Sequence, residues 1–278
     1  MEKHAIGTMQ GRLLPMVDGR IQAFPGDGWE REFRLAAEIG FASIELTIEM
    51  ASYDSHPVCA PAGRRQLSSL VRETGVGLAG LCCDTFMERP LVSAFEETRA
   101  EAQQILKALI QNAADAGVPM IEVPMLGENS LKDGPAINAF RRLLDDALGL
   151  ADTAGIDILL ETDLDAEPQA EFLRQHAHPR LGINYDTGNS TYFDYQPHAE
   201  IAAYGDQIRN VHIKDCTVRD YSVPLGTGET DFDAVFAGLA ATGYSGGFIL
   251  QAARQDDNLA AARAYHTFTA DYVGRYLS

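Results

Sequence analysis

The sequence predicts an α/β chain folded as a single (β/α)8 TIM barrel, with one domain spanning residues 1–278. The first observation is a phrase that recurs along the chain: a helical stretch, a glycine, and then an apolar run, as in LAAEIG-FASIEL and ADTAG-IDILLE. The second is its spacing. From Gly40 to Gly75, Gly117 and Gly155 the intervals are 35, 42 and 38 residues, the size of one strand-helix unit with its loops.

The elements follow from this phrase in chain order. A glycine just after a helix takes the left-handed conformation that ends it. The runs that follow are mostly apolar rather than alternating, which is typical of parallel strands covered on both faces. They predict strands at 4–10, 43–47, 77–83, 120–124, 157–162, 182–186, 210–213 and 247–251. The stretches between them predict helices at 29–39, 60–73, 93–116, 135–153, 169–175, 196–205, 232–241 and 259–276.

Composition limits the class of protein. Hydrophobic residues make up 46% of the chain and charged residues 22%, which allows a large core and argues against disorder. The formal net charge is −18, from 22 basic and 40 acidic side chains. Because phosphate neutralisation supplies most of the affinity for nucleic acids, this charge argues against a nucleic-acid partner.

The sequence also bears on location. The four cysteines form no CxxC pair and fit reduced thiols in a cytosolic protein. No apolar run approaches the 18 residues or so of a membrane span, and MEKHAIGTMQ is not followed by a segment of the secretory type. We therefore expect a cytoplasmic protein with no membrane partner.

Four polar residues follow apolar runs in the second half of the chain. Glu161 closes IDILLE, Asp186 closes LGINYD, His212 ends NVH and Gln251 closes GFILQ. In a barrel the carboxyl ends of all strands meet at one rim. The full set predicted at that rim is Gln10, Glu45, Asp84, Glu122, Glu161, Asp186, His212 and Gln251.

Crowded carboxylates repel one another unless a cation neutralises them. An acid at a strand end can instead cap a helix, and a lone histidine is often a core residue, but four on successive strands favour a shared metal site. Glu161, Asp186, His212 and the amide oxygen of Gln251 are therefore the predicted ligands. Mixed oxygen and nitrogen ligands suit one divalent ion: Mn²⁺, Mg²⁺, Co²⁺ or Zn²⁺.

Over almost its full length the chain resembles the sugar-phosphate isomerase/epimerase group of the xylose isomerase-like TIM barrels. The resemblance is carried by MQGRLLP, GRIQAFP, WEREF, IEL, LLET, NYDTGNS, VHIKD, LGTGETDF and FILQAAR. It implies one divalent metal bound by Glu, Asp, His and Glu on strands five to eight, here Glu161, Asp186, His212 and Gln251. It also implies proton transfer next to a metal-bound sugar carbonyl, with Glu161 as the catalytic base.

Two positions depart from the pattern of the group. Its 3-epimerases use two glutamates on opposite faces of the sugar, but Gln251 has no useful proton affinity. Asn189 stands where many relatives carry histidine after D-x-G. Three routes stay open: single-base aldose–ketose isomerisation through Glu161, a second acid such as Lys214 or Asp215, or a lyase-type elimination on a keto-sugar.

The remaining predictions concern ligands and partners. A non-catalytic sugar-binding protein is a further alternative, whereas the DNA-repair endonucleases of this fold need more histidines than the rim offers. We expect a small carbohydrate substrate and, from the resemblance, a homo-oligomer. The predicted substrate contacts are Glu167, Asn189, Lys214, Arg219 and Arg254, with Arg12 as a further candidate.

Overall fold

The protein is described by a computed structural model that covers residues 3–132, 134–220 and 222–277. Eight parallel strands form a closed barrel: β1 Ile6–Met9, β2 Ser43–Thr47, β3 Gly77–Cys82, β4 Met120–Met125, β5 Asp157–Thr162, β6 Leu181–Asp186, β7 Ile208–Ile213 and β10 Gly247–Leu250. Their order around the barrel is β1-β10-β7-β6-β5-β4-β3-β2. The predicted (β/α)8 fold is therefore confirmed.

Helices surround the barrel. Each of the eight predicted helices is present, as α1 Arg31–Ile39, α2 Pro61–Thr74, α4 Glu96–Ala116, α5 Gly134–Ala154, α6 Ala166–Gln175, α8 Pro197–Tyr204, α9 Phe232–Thr242 and α10 Asn258–Tyr276. The predicted capping role of Gly40, Gly75 and Gly117 is confirmed, because each follows a helix with φ between 75° and 103°. These glycines end the helices where the next strand must begin.

Several short elements were not predicted. Helices α3 (Thr85–Glu88) and α7 (Thr187–Tyr192) follow β3 and β6 directly, and β8 (Asp215–Cys216) pairs antiparallel with β9 (Ser222–Val223). All four are too short to show a hydrophobic period. Helix α6 begins three residues before its predicted start, because the Asp165 side chain accepts a hydrogen bond from Ala166 N.

Two apolar regions hold the barrel together. A large core lies between the strands and the helices, and it includes Trp29, whose ring packs edge-on against Phe33 with centroids 6.0 Å apart. A small cluster of Met9, Ala79, Cys82 and Ile249 forms a separate apolar contact. Many of the other buried strand residues are polar, and several of them form the candidate functional site. No helix among the described residues is long and apolar enough to cross a membrane.

Candidate functional site

Three of the predicted ligands meet at the rim of the barrel. One ligand atom from each of Glu161, Asp186 and His212 lies within 4.8 Å of the other two. Their side chains come from β5, β6 and β7, which are consecutive neighbours in the sheet. The three residues are only 7%, 4% and 0% exposed, so their charges are shielded from solvent. Two carboxylates and an imidazole are thus forced together in a medium that screens charge poorly.

Unpartnered polar atoms mark the same place. Asp186 Oδ2, His212 Nδ1 and Gln251 Oε1 are buried, and none has a hydrogen-bond partner among the described residues. Buried polar atoms are nearly always satisfied, so unsatisfied ones call for an explanation. Each of the three can offer a lone pair, and a divalent cation accepts such pairs. The donor set therefore fits the divalent metal that the sequence predicts.

Asp186 is held by the turn that follows it. Its Oδ1 accepts hydrogen bonds from the backbone N–H groups of Gly188 (2.8 Å) and Asn189 (2.9 Å), which caps α7 without using Oδ2. Glycine at 188 is required by close packing, since a Cβ there would lie 2.5 Å from Lys214 Cγ. The D-x-G of NYDTGNS thus aims a carboxylate oxygen into the site and admits Lys214 beside it.

Glu161 is fixed by two asparagines. Its Oε2 accepts from Asn184 Nδ2 (2.8 Å) and its Oε1 from Asn189 Nδ2 (2.6 Å). Burial raises the pKa of Glu161, and the nearby charge of Asp186 raises it further, although His212 and Lys214 oppose the change. A carboxyl group with a raised pKa is a stronger base once it is ionised. Asn189, predicted as a substrate contact, therefore touches the predicted base directly.

Lys214 is a positively charged residue beside Asp186 and Asn189. Its Nζ lies 3.5 Å from Asp186 Oδ2 and donates to Asn189 Oδ1 at 3.2 Å. Burial lowers the pKa of Lys214, but the carboxylates of Asp186 and Glu161 outweigh this effect, so that the pKa is raised overall. The ammonium group is the nearest cation to the predicted ligands among the described ion pairs.

Gln251 lies one residue beyond β10, and its amide bridges to the loop after β1. Its Nε2 donates to Gln22 Oε1 at 3.0 Å. Gln22 Oε1 also accepts from Arg12 Nη2 (2.9 Å), and Gln22 Nε2 donates to Asp84 Oδ2 (2.8 Å). Sequence reasoning missed Gln22. Its only signal was its place in GRIQAFP, one of the phrases that carry the family resemblance.

Other predicted contacts lie elsewhere. Glu167 is on the surface of α6 with a side chain that is 79% exposed, and its carboxylate pairs with Arg174 at 2.8 Å. Arg219 is exposed and takes a left-handed backbone conformation with φ of 59°. Among the described residues, neither Glu167 nor Arg219 makes a hydrogen bond or ion pair with Glu161, Asp186 or His212. Glu167 and Arg174 are seven positions apart, about two turns of α6.

Two residues proposed from the sequence have structural partners instead. Arg254 donates from three nitrogens to the carbonyls of Ile21, Leu14 and Gly11, and these hydrogen bonds anchor the loop after β1. Asp215 is the other residue that the sequence offers as a second acid. Its carboxylate accepts from the backbone N–H groups of residues 226, 228 and 230, which leaves it organising the loop before α9.

Two of the predicted rim residues also lie deeper than expected. Glu45 and Glu122 occupy the middle of β2 and β4, 0% and 2% exposed, and approach His212 from beneath. The rim assignment was wrong for them because β2 and β4 continue for two and three residues past these acids.

An eight-stranded parallel barrel with acidic and imidazole groups converging at its carboxyl rim defines a class of TIM barrel with a buried polar site. The profile of the xylose isomerase-like TIM barrel family matches residues 33–269. The chain therefore belongs to that family.

Proteins of named function are similar to this chain over most of its length. An L-ribulose-5-phosphate 3-epimerase, UlaE, of Salmonella paratyphi C is 27% identical over 236 residues, which cover 81% of this chain and 82% of the relative. Among solved structures, an L-ribulose 3-epimerase superposes with a TM-score of 0.78 at 18% identity, covering 98% and 95% of the two chains. The IOLI protein with a bound zinc atom gives 0.77 at 16% identity, covering 99% of each. These likenesses confirm the fold.

Proposed function

We propose that the protein is a divalent-metal-dependent isomerase or epimerase of a small ketose, aldose or sugar phosphate. The observation that carries the proposal is the meeting of Glu161, Asp186 and His212 within 4.8 Å of one another. Membership of the family and the 27% identity to an L-ribulose-5-phosphate 3-epimerase support the substrate class.

The residues that would hold the metal are Glu161, Asp186 and His212, with Gln251 Oε1 as the fourth. When bound, a divalent cation would polarise the substrate carbonyl and so acidify the neighbouring C–H bond. Lone pairs on Asp186 Oδ2, His212 Nδ1 and Gln251 Oε1 are available because none of these atoms accepts a hydrogen bond from the residues that the structure describes. A carboxylate-rich site with one imidazole and one amide suits Mn²⁺, Mg²⁺, Co²⁺ or Zn²⁺.

Glu161 would remove the proton. Its two oxygens are oriented by Asn184 and Asn189, which restricts the carboxylate to one direction of approach. Gln251 cannot return a proton to the opposite face. Of the two alternative acids weighed from the sequence, Asp215 is committed to three backbone N–H groups, whereas Lys214 reaches the site through Asn189. We therefore assign Glu161 as the base and Lys214 as the group that gives a proton back to the substrate; exchange with solvent then removes the proton from Glu161 and restores the one on Lys214.

The metal is tested by plasma mass spectrometry of protein purified without added metal. The parent should carry nearly one ion per chain, and Glu161→Ala, Asp186→Ala and His212→Ala should each lose it. Glu167→Ala is the matched control, since that carboxylate is exposed and paired with Arg174. A parent that takes up no ion even from added Mn²⁺ or Zn²⁺ would refute the proposal.

The reaction is tested by incubating ketoses and their phosphates with the protein in D2O. Deuterium at the carbon next to the carbonyl, in a product of unchanged carbon skeleton, supports isomerisation or epimerisation. A product that has lost a leaving group would identify the lyase-type elimination instead. Saturable sugar binding with no deuterium exchange would identify a non-catalytic sugar-binding protein.

A further inference from the structure

A buried carboxylate contacts His212 from the side opposite the proposed metal ligands. Glu45 Oε1 lies 3.3 Å from His212 Nε2, and both side chains are 0% exposed. Glu45 belongs to β2 and His212 to β7, with β1 and β10 between those strands in the sheet. The contact therefore crosses the barrel interior and is not a consequence of strand pairing.

The second oxygen of Glu45 is linked to Glu161 by a chain of hydrogen bonds through the side-chain amides of Asn210 and Asn184. Asn210 Nδ2 donates to Glu45 Oε2 and to Asn184 Oδ1, each at 2.9 Å. Asn184 Nδ2 donates in turn to Glu161 Oε2 at 2.8 Å. An ionised carboxylate only accepts hydrogen bonds, so Glu161 fixes which end of Asn184 is the donor. That orientation fixes Asn210, and Asn210 presents its N–H to Glu45.

The same rule sets the protonation of the imidazole. His212 Nε2 faces a carboxylate oxygen of Glu45 at 3.3 Å, and because an ionised carboxylate can only accept, this contact favours a hydrogen on Nε2. His212 Nδ1 has no hydrogen-bond partner among the described residues and lies 3.6 Å from Glu161 Oε2, on the side of the proposed ligands. In a neutral imidazole, a hydrogen on one nitrogen leaves a lone pair on the other.

We propose that Glu45 is a positioning residue that holds His212 in the Nε2–H tautomer and leaves Nδ1 free to bind a divalent metal. This inference rests on the proposed function for the identity of that ligand. Burying a carboxylate in a barrel interior is costly unless it is paired and hydrogen-bonded, and Glu45 has both Asn210 and His212 as partners. Carboxylates that accept from the second nitrogen of a metal-binding histidine orient the ring and raise its affinity.

Glu122 is the competing partner for the imidazole. Its Oε2 lies 3.9 Å from His212 Nε2, beyond hydrogen-bond distance, and has no donor among the described residues. Glu45 is therefore the acceptor, and Glu122 provides a matched control: a second buried glutamate near the same nitrogen that does not hold it.

The deciding variant is Glu45→Gln, which keeps the shape of the side chain. Because Asn210 continues to present a donor, the new amide oxygen turns to Asn210 and the new NH2 group faces His212 Nε2. A donor at that point favours the Nδ1–H tautomer, which blocks the lone pair. We expect Mn²⁺ or Zn²⁺ affinity, measured by titration calorimetry, to fall about 10- to 100-fold.

The tautomer is read separately, by long-range ¹H–¹⁵N correlation NMR on metal-free protein with ¹⁵N-labelled histidine. His212 should be the Nε2–H form in the parent, in Glu122→Gln and in the conservative Glu45→Asp, and should change in Glu45→Gln. An Nδ1–H form in the parent overturns the inference even if no variant folds.

The two readouts separate the two proposals. An unchanged tautomer and affinity in Glu45→Gln, or an equal loss in Glu122→Gln, would remove Glu45 from the role while the metal site stands. A parent with the expected tautomer and no metal binding would instead refute the proposed function and retain the contact between Glu45 and His212.

Discussion

The side-chain amide of Gln251 donates to Gln22 Oε1 at 3.0 Å, which joins two residues 229 positions apart in the chain. Gln22 cannot reverse its amide, because Arg12 donates to its oxygen and Asp84 accepts from its nitrogen. Position 251 must therefore supply a donor. A glutamine meets this requirement and still offers Oε1 to a metal, whereas a glutamate would place a carboxylate oxygen against the oxygen of Gln22.

This contact predicts the behaviour of Gln251→Glu. Without metal, the opposed oxygens should lower the free energy of unfolding by about 1–2 kcal/mol. With Mn²⁺ or Zn²⁺ bound, the added charge should tighten metal affinity by at least about tenfold, or about 1.4 kcal/mol. Thermal melts in EDTA and in excess metal would measure both effects.

Gln251→Ala is the control for this substitution, since it removes the donor and the oxygen without adding charge. It should weaken metal binding. An equal loss of stability for Gln251→Glu with and without metal would contradict the assignment of Gln251 Oε1 to the metal.

Lys214 is predicted to move a proton rather than merely to supply charge. Lys214→Arg keeps a cation near Asp186 Oδ2, which Lys214 Nζ approaches to 3.5 Å, but arginine does not release a proton at neutral pH. Both Lys214→Arg and Lys214→Met should lower kcat about 10²- to 10⁴-fold with metal content retained. Wild-type turnover in Lys214→Arg would show that only the charge is needed.

The positions of Glu161, Asp186 and His212 could be predicted because parallel strands end at one rim, whatever loops connect them. The glycines at 40, 75 and 117 gave the helix ends for an equally local reason, since a left-handed residue stops a helix by itself. Those features depend on a few neighbouring residues and on strand order.

The partners of Arg254, Gln22 and Asp215 could not be predicted in this way. Arg254 Nε donates to the carbonyl of Ile21, 233 positions away in the chain, so its role depends on the path of the whole loop after β1. The sequence around a charged residue near the rim does not show whether its side chain binds substrate or backbone carbonyls. The choice is made by tertiary packing.

Arg254 is therefore predicted to stabilise the fold rather than to recognise phosphate. Arg254→Lys cannot reach the carbonyls of Gly11, Leu14 and Ile21 together, and should lower the free energy of unfolding by about 2 kcal/mol. Urea unfolding would measure it. Arg263→Lys is the control, because Arg263 is exposed and donates to one carbonyl, that of Glu38.

Phosphate binding by Arg254, the competing role, can be tested separately by measuring KM. If its guanidinium bound phosphate, Arg254→Lys would raise KM for a phosphorylated sugar and not for the free sugar. We expect the ratio of the two KM values to stay at the parent value.

His56 is predicted to make the protein less stable in acid. It is 0% exposed, its Nδ1 accepts from Val58 N at 3.3 Å, and its ring packs edge-on against Phe24 with centroids 4.7 Å apart. Burial lowers its pKa from 6.5 to about 3, although the nearby backbone of Thr47 partly opposes this. The imidazole is thus neutral in the folded chain and becomes charged on unfolding below pH 6.5.

The sign of the effect follows from proton binding. Between pH 6.5 and 3 the unfolded chain binds a proton at His56 that the folded chain does not, so the stability is present above pH 6.5 and is lost as pH falls. The slope is about 1.4 kcal/mol per pH unit. His56→Asn keeps an acceptor for Val58 N but does not titrate there. Urea unfolding from pH 7 to 5 should therefore show the parent losing about 2 kcal/mol more than the variant, and parallel pH profiles would mean that His56 is protonated in the folded protein.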